Sequence, residues 1–162
     1  MGDAEGKDRG DPANVAQYVE QILIQNHLSQ LDVTVLKVGH HGSQTSRTDP
    51  FIDAVDPDIV IVQSGRRNFN GTFIPDAATL QRFCDHNPAI RIYRTDQNDE
   101  ADGLSASQAA DGDHIVIRTN GSGTPTVTAL EGGPAVSGNY LLSPIELRVY
   151  CGRSSFETPS EN

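Results

Sequence analysis

The chain has 162 residues, enough for one domain with a core, and carries a formal net charge of −10. An acidic surface repels phosphate backbones, which excludes passive nucleic-acid binding through a basic face but not a phosphorylated substrate held by a metal. No apolar run approaches the ~20 residues of a membrane-spanning helix, and MGDAEGKDRGDP at the start is not a signal peptide. We therefore expect a soluble chain, cytoplasmic as supplied, although no residue pattern assigns its compartment.

The two cysteines, Cys84 and Cys151, lie far apart in the sequence. They form neither the dense pattern of a disulfide-stapled fold nor the close spacing of a zinc knuckle. We expect them to be buried or incidental thiols.

Helices and strands alternate through the first half of the chain. Asp11-Pro12 is typical of an N-cap and first helical position, so an amphipathic helix is predicted over 12–27. Its apolar residues lie on one helical face: Val15, Tyr18, Val19, Ile22 and Leu23. LDVTVLKV, residues 31–38, is rich in β-branched residues and predicts a strand. A short helix over 49–55 and an almost wholly apolar strand over 58–64 follow, the latter typical of a strand covered on both faces.

The second half continues this alternation and then changes to β structure. A helix is predicted over 76–86, capped by Asp76 and with Leu80, Phe83 and Cys84 facing inward, and AIRIYRT (89–95) predicts the next strand. After an acidic loop over 96–113, a β-hairpin turns at Asn120-Gly121. We expect one domain over 1–130, then a linker and frayed tail over 131–162 with an edge strand at IELRVY.

Adjacent histidines are the main candidate site. His40 and His41, in VGHHGSQTS, directly follow the strand that ends at Val38. Ligand sites in α/β folds gather where strands end, and neutral imidazole is a common metal ligand. Side chains of neighbours in an extended segment point in opposite directions, so one histidine would bind a metal while the other faces substrate. Composition alone leaves open an exposed pair in a polar turn.

The residues around this pair suit a binding loop. Gly39 and Gly42 permit tight backbone turns. The hydroxyls of Ser43, Thr45 and Ser46 can hydrogen-bond to anionic substrate oxygens.

Two further groups of polar residues fit a hydrolytic site. An aspartate such as Asp3 can bridge two metal ions, although a disordered acidic terminus is the alternative. Arg66 and Arg67, followed by Asn68, can hold an anionic group because guanidinium recognises phosphate or carboxylate in a bidentate way. A solvated pair of charges is the alternative there.

Taken in order, these motifs resemble a known family. Gly2-Asp3, an amphipathic helix, VTVLKV, GHHGS with TS close behind, SGRRN and YRTD are similar to the C-terminal half of metallo-β-lactamase-fold hydrolases. The hydrolase domain of bacterial competence DNA-uptake (ComEC-like) proteins is the nearest resemblance, and it covers residues 2–120. It implies an α/β fold, half of an αββα sandwich, in which alternating helices and strands precede a C-terminal β-hairpin.

The resemblance also implies roles for individual residues. Asp3 corresponds to the aspartate that bridges two zinc ions, and Mn²⁺ is an alternative metal. His40 is the preferred metal ligand because it directly follows the VG that ends the strand, which leaves His41 as the catalytic or substrate-facing residue. The choice between the two histidines stays open. Ser43, with the loop residues 66–68, would bind substrate.

Two departures from the family pattern limit this interpretation. The family's H-x-H-x-D-H cluster belongs to the N-terminal half of the fold, and nothing in this chain matches it. Relatives have GHPHP in the loop before the third helix, where this chain has Thr72 and Ile74 in place of both histidines. The site is therefore expected to be incomplete without the missing N-terminal half as a partner.

The predicted function follows from this combination. The chain would be the C-terminal portion of a metal-dependent hydrolase that uses metal-activated water on a phosphodiester or ester/acyl bond, in an anionic small molecule or a nucleic acid. The alternative is a catalytically inactive α/β binding or interaction module derived from the same fold. An unrelated α/β domain with an incidental histidine pair is the third interpretation.

Overall fold

The computed structural model describes residues 2–64, 68–69, 72–95, 114–132, 142–144 and 151. Within these ranges the α-helices are α1 (Tyr18–His27), α2 (Asp49–Val55) and α3 (Ala77–His86). The strands are β1 (Val35–Lys37), β2 (Ile59–Val62), β3 (Asn68–Phe69), β4 (Thr72–Phe73), β5 (Arg91–Arg94), β6 (His114–Arg118), β7 (Thr126–Gly132) and β8 (Leu142–Pro144). The fold is thus mixed α/β, as predicted.

A small parallel sheet positions the site. Strand β2 lies between β1 and β5, with Val60 opposite Leu36 on one side and Ile92 on the other. All four residues of β2 are buried, as its apolar sequence predicted. Because the strands are parallel, their carboxyl ends share one edge, and β1 leads from that edge into the turn His40–Gly42.

The main core lies between this sheet and the helices. Leu36, Val60 and Ile92 of the sheet pack with residues of α2 and α3. The predicted inward residues of α3 are confirmed, since Leu80 and Phe83 are buried in this cluster beside Cys84. Helix α2 also has the predicted bounds.

The predicted β-hairpin covers part of the opposite face of the sheet. Strands β6 and β7 pair antiparallel, from His114 opposite Leu130 to Arg118 opposite Thr126. Ile115 and Val127 pack against a second apolar cluster, which consists of Ile59, Ile61 and Tyr93.

Some predicted elements fall beyond what the structure describes. Strand β8 pairs with β7 over 142–144, whereas the edge strand predicted at 145–150, the loop over 96–113 and most of the tail lie outside the described residues. Among the residues that are described, no helix combines the length and apolar character needed to cross a membrane.

The prediction for α1 was wrong in its start and in most of its inward face, although the helix ends at His27 as predicted and Leu23 packs against the main core. The helix begins at Tyr18 rather than Pro12, and four residues of the predicted apolar face have between 42% and 56% of their surface exposed: Val15, Tyr18, Val19 and Ile22. Glu20 is instead fully buried. The helix turns this way because the Glu20 carboxylate is hydrogen-bonded to a loop that lies more than 25 residues further along the chain.

The expectation for the cysteines was also wrong. Cys84 of α3 and Cys151 form a disulfide, with their Cα atoms 5.1 Å apart. No local pattern indicates this pairing, because the two positions are separated by 67 residues and come together only through the fold. The bond ties Cys151 to the helix layer.

Candidate functional site at the end of the first strand

The turn after β1 has an unusual backbone. His40, His41 and Gly42 all have positive φ angles, of 47°, 55° and 81°. The extended segment predicted for the histidines was therefore wrong, although Gly42 does supply the expected left-handed turn. A non-glycine residue in this region costs about 1 kcal/mol or more, so such a backbone persists only where its surroundings fix it.

A buried polar cluster fixes this turn from behind. Oε1 of Glu20 accepts hydrogen bonds from the backbone N and Nη1 of Arg47, at 2.6 and 3.0 Å. Oε2 accepts from the backbone N and Oγ1 of Thr48, at 2.9 and 2.8 Å. All three residues are 0% exposed. Burial lowers the pKa of the Arg47 guanidinium, and the neighbouring carboxylate opposes that shift.

The Arg47 guanidinium also explains Gly39. Gly39 has an extended backbone, with φ at −78°, so the tight turn expected there was wrong. A Cβ atom at this position would instead collide with Nη2 of Arg47. Gly39 is thus required by the close approach of a buried side chain.

The N-terminal segment binds to the front of the same loop. The backbone N of His40 donates to the carbonyl of Gly2 at 2.8 Å. The carbonyl of Thr45 accepts from the backbone N atoms of Gly6 and Lys7, at 2.8 and 3.1 Å. These bonds place the carboxylates of Asp3 and Glu5 next to the histidines.

The two imidazoles have different partners. Nδ1 of His41 lies 2.8 Å from the carbonyl oxygen of Gln63, and Nε2 lies 3.8 Å from Oδ1 of Asp3. Because a carbonyl only accepts, Nδ1 is the donor, which places Nε2 on the side of Asp3. Nδ1 of His40 instead lies 3.0 Å from Oε1 of Glu5 and 3.1 Å from Oγ1 of Thr45.

These side chains line one open cavity of about 460 Å³. It contains five of the residues predicted for the site: Asp3, His40, His41, Ser43 and Thr45. The substrate contact predicted for Ser46 was wrong, because its buried hydroxyl donates to backbone carbonyls instead. Ile74 is buried in its wall, at one of the positions where the resemblance would place a histidine. Arg66 and Arg67 lie outside the described residues, and Asn68 is on β3, opposite Phe73 of β4.

Arg9, Glu5 and Asp76 are site residues that the sequence reasoning did not assign. Nη1 and Nη2 of Arg9 lie 3.1 and 3.0 Å from the two carboxylate oxygens of Asp76. Asp76 precedes α3 as predicted, but its side chain makes no capping bond to the helix and accepts from the backbone N of Gln44 at 2.7 Å instead. The glycine-rich segment GKDRGD was the available signal for a turn that presents Arg9.

The donor atoms suit a zinc ion but do not complete a site. Asp3 supplies a carboxylate oxygen and His41 an imidazole nitrogen, with the other ring nitrogen held by a carbonyl as in metal-bound histidines. Catalytic zinc sites use about three protein ligands and an open position. Within the described part of the chain, no group of three or more His, Cys, Asp or Glu side chains is arranged to hold a metal.

Comparison with known proteins finds partial relatives. The chain is 37% identical over 75 residues to the ComE operon protein 3 of Bacillus subtilis (strain 168), a match that covers 46% of this chain. It is 35% identical over 89 residues to Recombination protein 2 of Haemophilus influenzae, and 35% identical over 77 residues to the competence protein ComA of Neisseria gonorrhoeae. These matches cover 55% and 48% of this chain.

The chain spans only a small part of those proteins. The matched segments amount to 9%, 9% and 11% of the three relatives, in the same order. No family model matches the chain, and no solved structure matches it. The chain is therefore similar to a segment of competence and recombination proteins, which agrees with a ComEC-like relationship.

Proposed function

We propose that this chain is the C-terminal portion of a metal-dependent hydrolase of the metallo-β-lactamase superfamily, acting on a phosphodiester or ester/acyl bond. The observation that carries the proposal is the approach of Asp3 to His41 in one cavity at the carboxyl edge of a parallel sheet. The partial similarity to competence proteins supports it. So does the order of helices and strands, which fits half of an αββα sandwich.

In this proposal Asp3 and a histidine hold the metal, Zn²⁺ or Mn²⁺. When bound, the metal would supply a water activated for attack on the substrate. His41 is favoured as the ligand by its distance to Asp3 and by its hydrogen bond to the carbonyl of Gln63. His40, held by Glu5, is then available to hydrogen-bond to substrate or to move a proton.

The remaining metal ligands are proposed to come from the N-terminal half of the fold. Asp3 and His41 are fewer than the ligands that a zinc hydrolase needs. The proposed partner is therefore a segment that bears the H-x-H-x-D-H cluster. Ser43 lines the cavity and would contact substrate.

A calorimetric titration with Zn²⁺ and Mn²⁺ tests the half-site. Asp3→Ala and His41→Ala are expected to weaken zinc binding by at least about tenfold. Mutating a residue that merely hydrogen-bonds to a metal ligand already has an effect of that size, and loss of a ligand should cost no less. His40→Ala reports which histidine is the ligand. His86→Ala is the matched control, because His86 is bound to Asp53 and Asp56 in the helix layer.

Equal losses in all variants, the control included, would mean adventitious binding and would contradict the half-site. If zinc binds to the wild-type chain, the N-terminal half is added and hydrolysis of bis(p-nitrophenyl) phosphate is measured. A completed protein without hydrolysis would favour the inactive binding module. The apolar Ile74 side chain in the cavity wall, where a histidine is expected, is the observation that favours this alternative.

A further inference from the structure

The turn that carries Arg9 is built around a buried ammonium group. Nζ of Lys7 donates to the carbonyl oxygens of Asp8 and Asp11, at 2.9 and 2.7 Å, and makes a longer contact of 3.5 Å with the carbonyl of Arg9. Lys7 is only 3% exposed, and burial lowers its pKa. The amide of Gln44 also donates to the Arg9 carbonyl at 3.3 Å. The backbone of Arg9 is thus tied to the loop of the site.

The Arg9 side chain is held at the cavity, and not all of its N–H donors are occupied by these contacts. Besides its two bonds to Asp76, Nη2 contacts Oγ of Ser43 at 3.3 Å. These contacts occupy three of the five N–H donors of a guanidinium, and 43% of the side chain is exposed. Counted over the described residues, the other two N–H groups have no acceptor and can bind a ligand.

The charge distribution gives this guanidinium a specific role. Asp3 and Glu5 make the described cavity wall acidic, and Arg9 is its one permanently charged cation among the described lining residues. A substrate anion would be repelled by the carboxylates and attracted at Arg9. Guanidinium bonds to phosphate oxygens are short and strong because both partners are charged.

We infer that Arg9 is the anion-binding residue of this cavity and contacts a non-bridging oxygen of a phosphodiester, beside the hydroxyl of Ser43. This inference rests on the proposed function for placing substrate in the cavity. It narrows the substrate class, since a neutral ester or lactone offers no anionic oxygen to Arg9. Asp76 acts as the positioning residue that holds the guanidinium at the rim.

The test measures binding to the whole chain, without hydrolysis. The probes are thymidylyl-(3′→5′)-thymidine, a phosphodiester, and its methylphosphonate analogue, which lacks the negative charge; NMR titrations give both dissociation constants. Arg9→Gln is expected to weaken binding of the diester about tenfold, the loss of one charge-assisted hydrogen bond. Arg118→Gln, at an exposed arginine of β6, is the control and leaves binding unchanged.

A second variant separates charge from geometry. Arg9→Lys keeps the charge but not the planar donors, so an intermediate loss is expected. The methylphosphonate should bind more weakly than the diester and should not respond to Arg9→Gln. Amide spectra of each variant show that the fold is retained.

Three results would overturn the inference: no binding of the diester, equal binding of both probes, or equal diester binding by wild-type and Arg9→Gln chains. These results are distinct from failure of the proposed hydrolase. Binding of the diester through Arg9, together with a completed protein that shows no hydrolysis, would leave the inference standing and remove the hydrolase. Hydrolysis by the completed protein with undiminished diester binding in Arg9→Gln would do the reverse.

Discussion

The two sides of the loop over 39–48 use charged residues in opposite ways. Behind it, Glu20 and Arg47 are 0% exposed and are paired with each other and with the backbone. In front of it, 78% of the Asp3 side chain and 48% of the His41 side chain are exposed, 3.8 Å apart at their closest atoms. The buried pair holds the shape of the loop, which leaves the exposed groups free for a ligand. Substitutions behind the loop should thus affect stability, and those in front should affect binding.

Glu20→Gln should give the largest loss of stability and most directly tests this division. It leaves the Arg47 guanidinium buried without a counter-charge and turns an amide group towards backbone N–H donors. Breaking a buried ion pair costs about 3–5 kcal/mol, which urea denaturation would measure. Glu5→Gln, in front of the loop, is the matched control and should cost under about 1 kcal/mol. Equal losses of stability in the two variants would contradict the division between the buried and the exposed side of the loop.

Reduction of the Cys84–Cys151 disulfide should have the next largest effect. The bond closes a long loop, with 67 residues of separation, and anchors α3 behind the site. Removing such a constraint on the unfolded chain costs about 2–4 kcal/mol. The unfolding midpoint should fall in reductant, while a Cys84→Ser/Cys151→Ser variant should show the lower midpoint with or without it. An unchanged wild-type midpoint would contradict the pairing.

Gly39→Ala tests the contact between the two sides of the loop. The added methyl group collides with Nη2 of Arg47, and overpacking of this kind costs about 1–3 kcal/mol. Gly10→Ala is the control because a Cβ atom there has no neighbour within 4 Å. Thermal unfolding of both variants would show the difference, and equal melting temperatures would place Arg47 elsewhere.

Asp3→Asn should have the smallest effect on stability and a clear effect on binding. An exposed substitution changes the free energy of unfolding by about 0.5 kcal/mol or less. In the proposed half-site, however, the lost charge should weaken zinc binding. Denaturation and calorimetry on the same sample would separate the two effects. A large loss of stability would mean that the front of the site also supports the fold.

The elements that the sequence predicted well are those specified by their own residues. Helix α3 has apolar residues at helical spacing, and Leu80 and Phe83 are buried as expected. The hairpin is specified by alternating strands around the turn at Asn120-Gly121. In both cases the local pattern agrees with the packing that the fold requires.

The errors lie where a distant partner decides the structure. The apolar residues of α1 predicted its buried face, but Glu20 turns inward to reach Arg47 and Thr48. Likewise, Asp76 had the position of a helix cap, yet Arg9 and the backbone of Gln44 take up its carboxylate. A single sequence shows no such pairing, because it depends on chain segments that meet only in the folded state.

The disulfide between Cys84 and Cys151 has a further consequence for where the chain matures. Such bonds persist in oxidising surroundings, outside the cytoplasm, and are rare in the cytosol, where thioredoxin and glutathione keep thiols reduced. The oxidation state of this pair therefore reports the side of the membrane on which the protein folded. Thiols trapped with iodoacetamide at the moment of cell lysis, and counted by mass spectrometry, would give the answer directly.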